Sequence, residues 1–356
     1  MSRAAPLVTV AIPTYNRADL LAVTLRTILA QDYPNLEILI SDNASTDDTE
    51  RLCRAAAAAD RRVCYVRQPE NIGLYPNHNF CLEEARGEFI CLFHDDERYG
   101  PGVVAENAEL LVAHPEVGLS CSDWELIDEQ ERVVGTRDFA VPAVTDGYTY
   151  IERTIRSGRS SISCPGAMIR REALGKTRFH ASGPLGFGDF LVWFEIAERW
   201  GIGHVHGRLW SYRQHARALS LRALEAVVRD FDENLTRYLD EHLARSPEHG
   251  ALVRRWRRLG DRYMFWALAF ELCLDVLKGR PAPDHAGADR TVFELADYRL
   301  TAEEVASVRA ELWRLRSGTV PSAALVGIEA LRATGLTQPL RWAARHSGSL
   351  RKVLGL

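Results

Sequence analysis

"CLFHDDERYGP", residues 91–101, runs three apolar residues straight into a histidine and three acids, then breaks at Gly100-Pro101. A buried strand that ends in four titratable groups presents them to something other than an apolar core. Outward from this stretch the chain alternates. "LVTVAI" (7–12) predicts a strand, and a helical pattern follows from about Asp19 to Gln31. "LEILIS" (36–41) predicts the next strand, and "STDDTERLCRAAAAAD" opens on capping residues and continues as an Ala-rich helix. "RVCYV" (62–66) is a third strand, a helix covers about 76–86, and "EFICLF" (88–93) is the fourth strand. Continuous apolar strands separated by helices predict an α/β fold, a mainly parallel sheet covered on both faces. Ligands in such sheets bind at the carboxyl ends of the strands. Three polar clusters stand at such ends: "PTYNR", "SDNASTDD" and "HDDE".

From about 140 to 220 the pattern changes. "SISCPGAMIRREAL" reads as a strand running into a helix start, and "PLGFGDFLVWFEIAERWG" as a glycine-rich loop before an amphipathic helix. "GHVHGRLWSYRQH" alternates like a strand. After about 221 the pattern is nearly all helical, with a loop at 278–289. Two regions are therefore expected, residues 1–220 for catalysis and residues 221–356 as a helical region for packing, dimer contact or acceptor binding.

Net charge is -4 and pI about 6.3, so no global basic field exists and nucleic acid is excluded as the main partner. Seven scattered cysteines without a CxxC pair read as reduced thiols of a cytoplasmic protein. The start lacks a signal-peptide core, and no apolar run reaches the ~18 residues that span a bilayer. Residues 331–356 carry Arg332, Arg341, Arg345, Arg351 and Lys352 and no acid. That segment could rest on an anionic membrane at its inner face, or serve as a protein surface or homodimer contact.

Clustered acids suit Mg²⁺ or Mn²⁺, because adjacent carboxylates repel and a hard cation offsets the cost. The plain alternative is a solvated acidic turn. Asp42 could accept the N3–H of uracil or thymine, while Ser45, Thr46 or Asp47 caps the following helix. Thr14, Asn16 and Arg17 follow a proline that bends the chain out of the strand, as an ordinary turn would also do.

Together these residues resemble the family 2 glycosyltransferases, which use nucleotide-diphosphate sugars on a GT-A fold. "VTVAIPTYNR", "ILISDNASTDDT", "ENIGLYPNHNFCLEEARGEFICLFHDDERYGPG", "GFGDFLVWFEIAERWG" and "LWSYRQH" match its segments in order, from about Val8 to Ser220. The resemblance implies a nucleotide site on Pro13, Thr14, Tyr15, Asn16, Arg17, Asp42, Asn43, Ser45, Asn71, Gly73, Asn79 and Asp95. It implies a metal on Asp96 with His94 and His215, and a diphosphate contact at Arg213. Asp189 becomes the general base of an inverting displacement; as a residue it could instead be a helix cap, with Glu195 the next candidate base. Trp193 and Trp210 could face a glycan, lipid-linked or small-molecule acceptor, or lie in the core. Two positions depart from the family pattern. His94 stands where an Asp is common, and Gly188 where a Glu often precedes the base. The first departure keeps open a non-catalytic nucleotide-sugar or glycan-binding relative. A sugar-1-phosphate nucleotidyltransferase is disfavoured, because "IPTYNR" replaces a glycine-rich turn after the first strand.

Overall fold

The computed structural model describes residues 4–157, 160–180, 189–215 and 224–260. These form two compact units, 4–151 with 160–215 and 152–157 with 224–260.

The first unit opens with the expected alternation. Strands β1 (Val8–Thr14), β2 (Leu36–Asp42), β3 (Val63–Arg67) and β4 (Phe89–Leu92) are joined by helices α1 (Ala18–Leu29), α2 (Thr49–Ala59) and α3 (Leu74–Glu84). They pair in parallel in the order β3-β2-β1-β4. All seven residues of both β1 and β2 are buried, as expected of strands covered on both faces.

The remainder is mixed. After β5 (Arg98–Tyr99) and α4 (Val103–Ala113) come β6 (Val117–Ile127), β7 (Val133–Arg137) and β8 (Val144–Thr145). Then follow α5 (Gly147–Ser157), β9 (Met168–Arg170), α6 (Arg171–Leu174), α7 (Asp189–Ala197) and β10 (Gly201–Arg213). Among the described residues the sheet has ten strands, in the order β3-β2-β1-β4-β9-β6-β10-β5, with β7 beside β6 and β8 beside β10. β9 is antiparallel to both β4 and β6, whereas β10 runs parallel to β6. The sequence pattern showed β10 but not β6, its longest partner.

One capping expectation takes an unusual form. Asp47 serves two helices: Oδ1 accepts the N–H of Thr49 and Oδ2 that of Ala18, both at 3.0 Å. Carboxylates at helix N-termini are favoured by the macrodipole. Asp47 thereby ties the loop after β1 to the loop after β2.

The second unit contains α8 (Leu224–Arg245) and a helical stretch at 250–260. Leu235, Tyr238, Leu239, Val253 and Trp256 are buried in it. Arg255 pairs with Glu152 at 2.7 Å. The basic segment 331–356 lies outside the described residues.

Candidate active site

The carboxyl ends of β1, β2 and β4 open on one cavity of about 540 Å³. Its lining includes Pro13, Thr14, Tyr15 and Arg17 from the first loop, Asn43 from the second, and Asn71 and Gly73 before α3. His94, Asp95, Asp96 and Glu97 follow from the fourth strand, with Asp189 at the head of α7 and Arg213 at the end of β10. Residues more than a hundred positions apart thus meet at one strand edge.

The acids are buried and tightly engaged. Arg17 Nη1 lies 3.0 Å from Asp95 Oδ1 and 2.6 Å from Asp96 Oδ2, so one guanidinium spans both carboxylates. Thr14 donates to Asp95 at 2.7 Å. His215 Nε2 lies 3.1 Å from Asp96 Oδ2. Glu97 Oε2 accepts the backbone N–H of Arg213 at 2.6 Å. The Arg213 side chain donates to the backbone oxygen of Asp96 and to Glu131. Burial and the charge of Asp96 push the Asp95 carboxyl up to about 6, against the pull of Arg17 and Thr14. Burial also opposes ionisation of Asp96, yet the hydrogen bond from His215 and the charge of Arg17 hold it below the usual carboxylate range. Neighbouring carboxylates divide in this way because two adjacent charges repel.

Three atoms here lack any hydrogen-bond partner although buried: His94 Nε2, Asp96 Oδ1 and His215 Nδ1. Buried polar atoms are nearly always bonded, so orphans gathered at one site call for a ligand. Imidazole nitrogens and a carboxylate oxygen are donors for a divalent cation. Ligand atoms of His94, Asp96 and Glu97 lie within 4.8 Å of one another. The residues present therefore fit a divalent-cation site, and His94 supplies a donor where an Asp is common.

The nucleoside segment is also prearranged. Asn43 bonds Asn71 at 2.8 Å and accepts the N–H of Ile72, so the two loops brace each other. Asn16 adopts φ 51° and accepts the N–H of Thr46 at 2.7 Å, while its own N–H donates to Ser45. Asn16 and Ser45 hold the loops and are not part of the lining. Asp42 is fully buried, with its oxygens accepting from Ser45 N–H, Tyr65 and Arg67. Its carboxylate thus faces neighbours of the sheet, and the lining next to it is Asn43. Asn79 bonds Phe179 through both its amide and its oxygen, again as a brace. Trp193 and Trp210 are 0% and 2% exposed. They pack in the core, because α7 turns the Trp193 face inward and Trp210 stacks on Trp124 at 5.3 Å.

The sequence reading missed an aromatic wall of Tyr75, His78 and Phe179. Tyr75 and Phe179 stack at 5.8 Å, and the His78 ring meets Phe179 edge-on at 5.6 Å. Burial drives the His78 imidazole down to about 3, so it is neutral at ordinary pH. The signal was present as "YPNHNF", a polar run on a helix face where the pattern alone would place apolar residues. Asp189 lines the cavity at the head of α7 and accepts the N–H of its neighbour Phe190 at 2.9 Å.

A mixed, mainly parallel sheet with this loop-lined edge is the GT-A fold. The chain is similar in structure to S. aureus TarS 1-349 in complex with UDP-GlcNAc, with TM-score 0.60, 15% identity and 92% of each chain covered. It is also similar to the mannosyltransferase PcManGT from Pyrobaculum calidifontis in complex with GDP-Man and Mn²⁺. There the TM-score is 0.52 and the identity 19%, over 91% of this chain and 87% of that one. In sequence, residues 9–178 match the profile of glycosyl transferase family 2, and this segment belongs to that family. A Campylobacter jejuni protein named GalNAc(5)-diNAcBac-PP-undecaprenol beta-1,3-glucosyltransferase is 35% identical over 101 residues. That match covers 28% of this chain and 33% of the relative. The chain spans less than half the length of the first curated relatives it matches. Among the described residues no helix is long and apolar enough to cross a membrane.

Proposed function

We propose that the chain is an inverting glycosyltransferase that moves a sugar from a UDP- or dTDP-sugar to an acceptor hydroxyl. The observation that carries this reading is one cavity lined both by Asp189 and by buried acids and His94, where His94 Nε2 and Asp96 Oδ1 are unpartnered. Asp96, His94 and His215 would hold Mg²⁺ or Mn²⁺, which when bound neutralises charge on the departing diphosphate. Asp95 is fixed by Thr14 and Arg17 on the donor side. Tyr15, 42% exposed at the rim, offers a ring to stack on the base. Asn43 and Asn71 present amides beside it. Arg213 and Arg17 line the cavity and would be the cations that meet the phosphates. The acceptor oxygen forms a bond to the anomeric carbon as the bond to the diphosphate breaks. Its proton passes to the Asp189 carboxylate, and the configuration inverts.

The two structural neighbours are complexes with UDP-GlcNAc and GDP-Man, and the undecaprenol-linked relative supports a lipid-linked glycan as acceptor. Catalysis is assigned to residues 1–220. Residues 221–356 are assigned to packing, homodimer or acceptor contacts, with the basic terminus as the peripheral membrane candidate at the cytoplasmic face. A donor panel read by hydrolysis and thermal shift, with Mn²⁺ and then excess EDTA, tests the reading. A UDP- or dTDP-sugar at 100 times its dissociation constant should stabilise by about 2.7 kcal/mol, in Mn²⁺ only. No stabilisation and no hydrolysis with any donor would sink it.

A further inference from the structure

Away from the cavity, β6 and β10 assemble a second group of donor side chains that the proposed reaction leaves unused. In their parallel pairing His204 stands opposite Cys121, and Asp123, two residues on, shares that face. β10 then bulges. The register passes from Val205↔Ser122 to Arg208↔Asp123, so His206 and Gly207 have no counterparts on β6. Bulges re-aim side chains. His206 stays exposed, with its ring centroid 5.1 Å from that of buried His204. One ligand atom each from Asp123, His204 and His206 lie within 4.8 Å of one another. None of the three lines the cavity.

The hydrogen bonds behind this group matter. The Cys121 thiol donates to the Ser161 carbonyl at 2.9 Å, and its sulfur lies 3.5 Å from His204 Nδ1. Nδ1 therefore has only this weak sulfur contact, whereas Nε2 stands 2.8 Å from the Asp123 Oδ1 carboxylate oxygen and, with no ion bound, donates its hydrogen there. Burial lowers the His204 pKa, against the pull of Asp123, which favours the neutral imidazole that metals bind. Asp123 Oδ1 is also anchored by the N–H of Phe139 at 2.8 Å.

We propose that Asp123, His204 and His206 bind a divalent cation of the Zn²⁺ class, at a site separate from the acids of the cavity. Two imidazoles and one carboxylate are a donor set that suits Zn²⁺, with water completing the coordination. When the ion binds, Nε2 gives up its hydrogen to become a ligand, and the ring hydrogen sits on Nδ1, which faces the Cys121 sulfur as its supporting partner. Exposed His206 is the side from which the ion enters. The bound ion ties the bulge of β10 to β6, and so steadies the strand whose far end carries Arg213.

The test titrates Zn²⁺ alone into the full chain carrying Asp96→Ala, so that the cavity acids contribute nothing, and follows Co²⁺ binding by visible absorption. About one equivalent should bind, with d–d bands and a raised Tm. His206→Ala and the bulk-keeping His206→Gln should each cost more than the about 10- to 100-fold that loss of a mere supporting group costs. Should Asp96→Ala misfold, the same comparison in the otherwise unaltered chain reads loss of one of two equivalents. If Zn²⁺ affinity stays within a few-fold in both His206 variants, or the parent binds no such ion, the proposal is overturned. The His204–Asp123 contact is then a plain hydrogen bond, with Nε2–H donating to Asp123.

Discussion

The two ends of the parallel strands bury carboxylates in opposite ways. At the amino end, Glu37 of β2 accepts from Thr9 of β1 at 2.6 Å and from the backbone N–H of Arg86 at 3.1 Å, and pairs with the Arg86 guanidinium. Gly87 donates to the same threonine, and a Cβ there would meet Phe89 O at 2.4 Å, so glycine is required for the fit. No buried side-chain atom of this group is left without a partner. At the carboxyl end, His94, Asp96 and His215 each keep an unpartnered atom, and one arginine is shared between two acids. A buried charge with all its bonds made is a structural device, and one with bonds left open is waiting for a ligand. Burial alone does not separate the two.

The largest effect that sharpens this contrast is expected at Asp189. Asp189→Asn keeps the size and can still accept the Phe190 N–H, yet cannot take a proton. Turnover should fall by about 10² to 10⁴, with Tm and nucleotide affinity little changed. Near-normal turnover would make Asp189 only a cap and send the search to Glu195. Next comes Asp96→Ala, which removes the orphan oxygen and should cost roughly 10² to 10³ in rate, as loss of a preorganised charge-stabilising group does. EDTA should mimic it in the parent and add nothing in the variant; an additive effect would place the metal elsewhere.

At the amino end the readout is stability. Glu37→Ala strands the Thr9 hydroxyl and the Arg86 N–H, and should cost about 1–3 kcal/mol in denaturant unfolding. Turnover per folded molecule should stay the same, and a selective loss of turnover would break the contrast. Burial opposes ionisation of Glu37, but Thr9 and Arg86 outweigh it and hold the group below its ordinary value. A depressed folded pKa contributes stability above the unfolded value of about 4.3, and that contribution is lost as pH falls through the folded pKa. Glu37→Gln should therefore flatten the acid limb of stability below about pH 4.3.

The smallest effect has the opposite sign. Asp95 titrates near 6 in the fold against about 3.9 unfolded, so its contribution is full below 3.9 and lost as pH rises through 6. In EDTA, Asp95→Asn should be more stable than the parent at pH 8, by on the order of 1 kcal/mol, with the gap shrinking below pH 6 and closing as pH falls below about 3.9. A gap that is constant with pH would show that repulsion at the cleft does not govern this group.

Much of the first unit was legible. Apolar runs and capping residues mark β1 to β4 and their helices within a few residues, because both faces of these strands are covered and little polar interruption occurs. Residues 103–140 were not legible. β6 alternates with serines and acids whose partners lie on β9, β10 and β7, and such non-local pairing leaves a weak local signal. His78 escaped for a related reason. A histidine on a helix reads as solvated until Phe179, a hundred residues on, covers it.

The sequence by itself determined which polar residues follow which strands, since a strand's apolar run and the turn that ends it are local properties of the chain. It also determined the order of the segments that place residues 9–178 in their family. Only the tertiary structure decided how those residues divide their work. Asn16, Ser45 and Asn79 became braces, Trp193 and Trp210 core, and Asp96 and His94 the holders of unanswered atoms. Hydrogen-bond satisfaction depends on distances of about 3 Å between residues as far apart as Asp96 and His215. Spacing along a chain cannot encode that, because only the packed sheet brings the two ends of such a bond together.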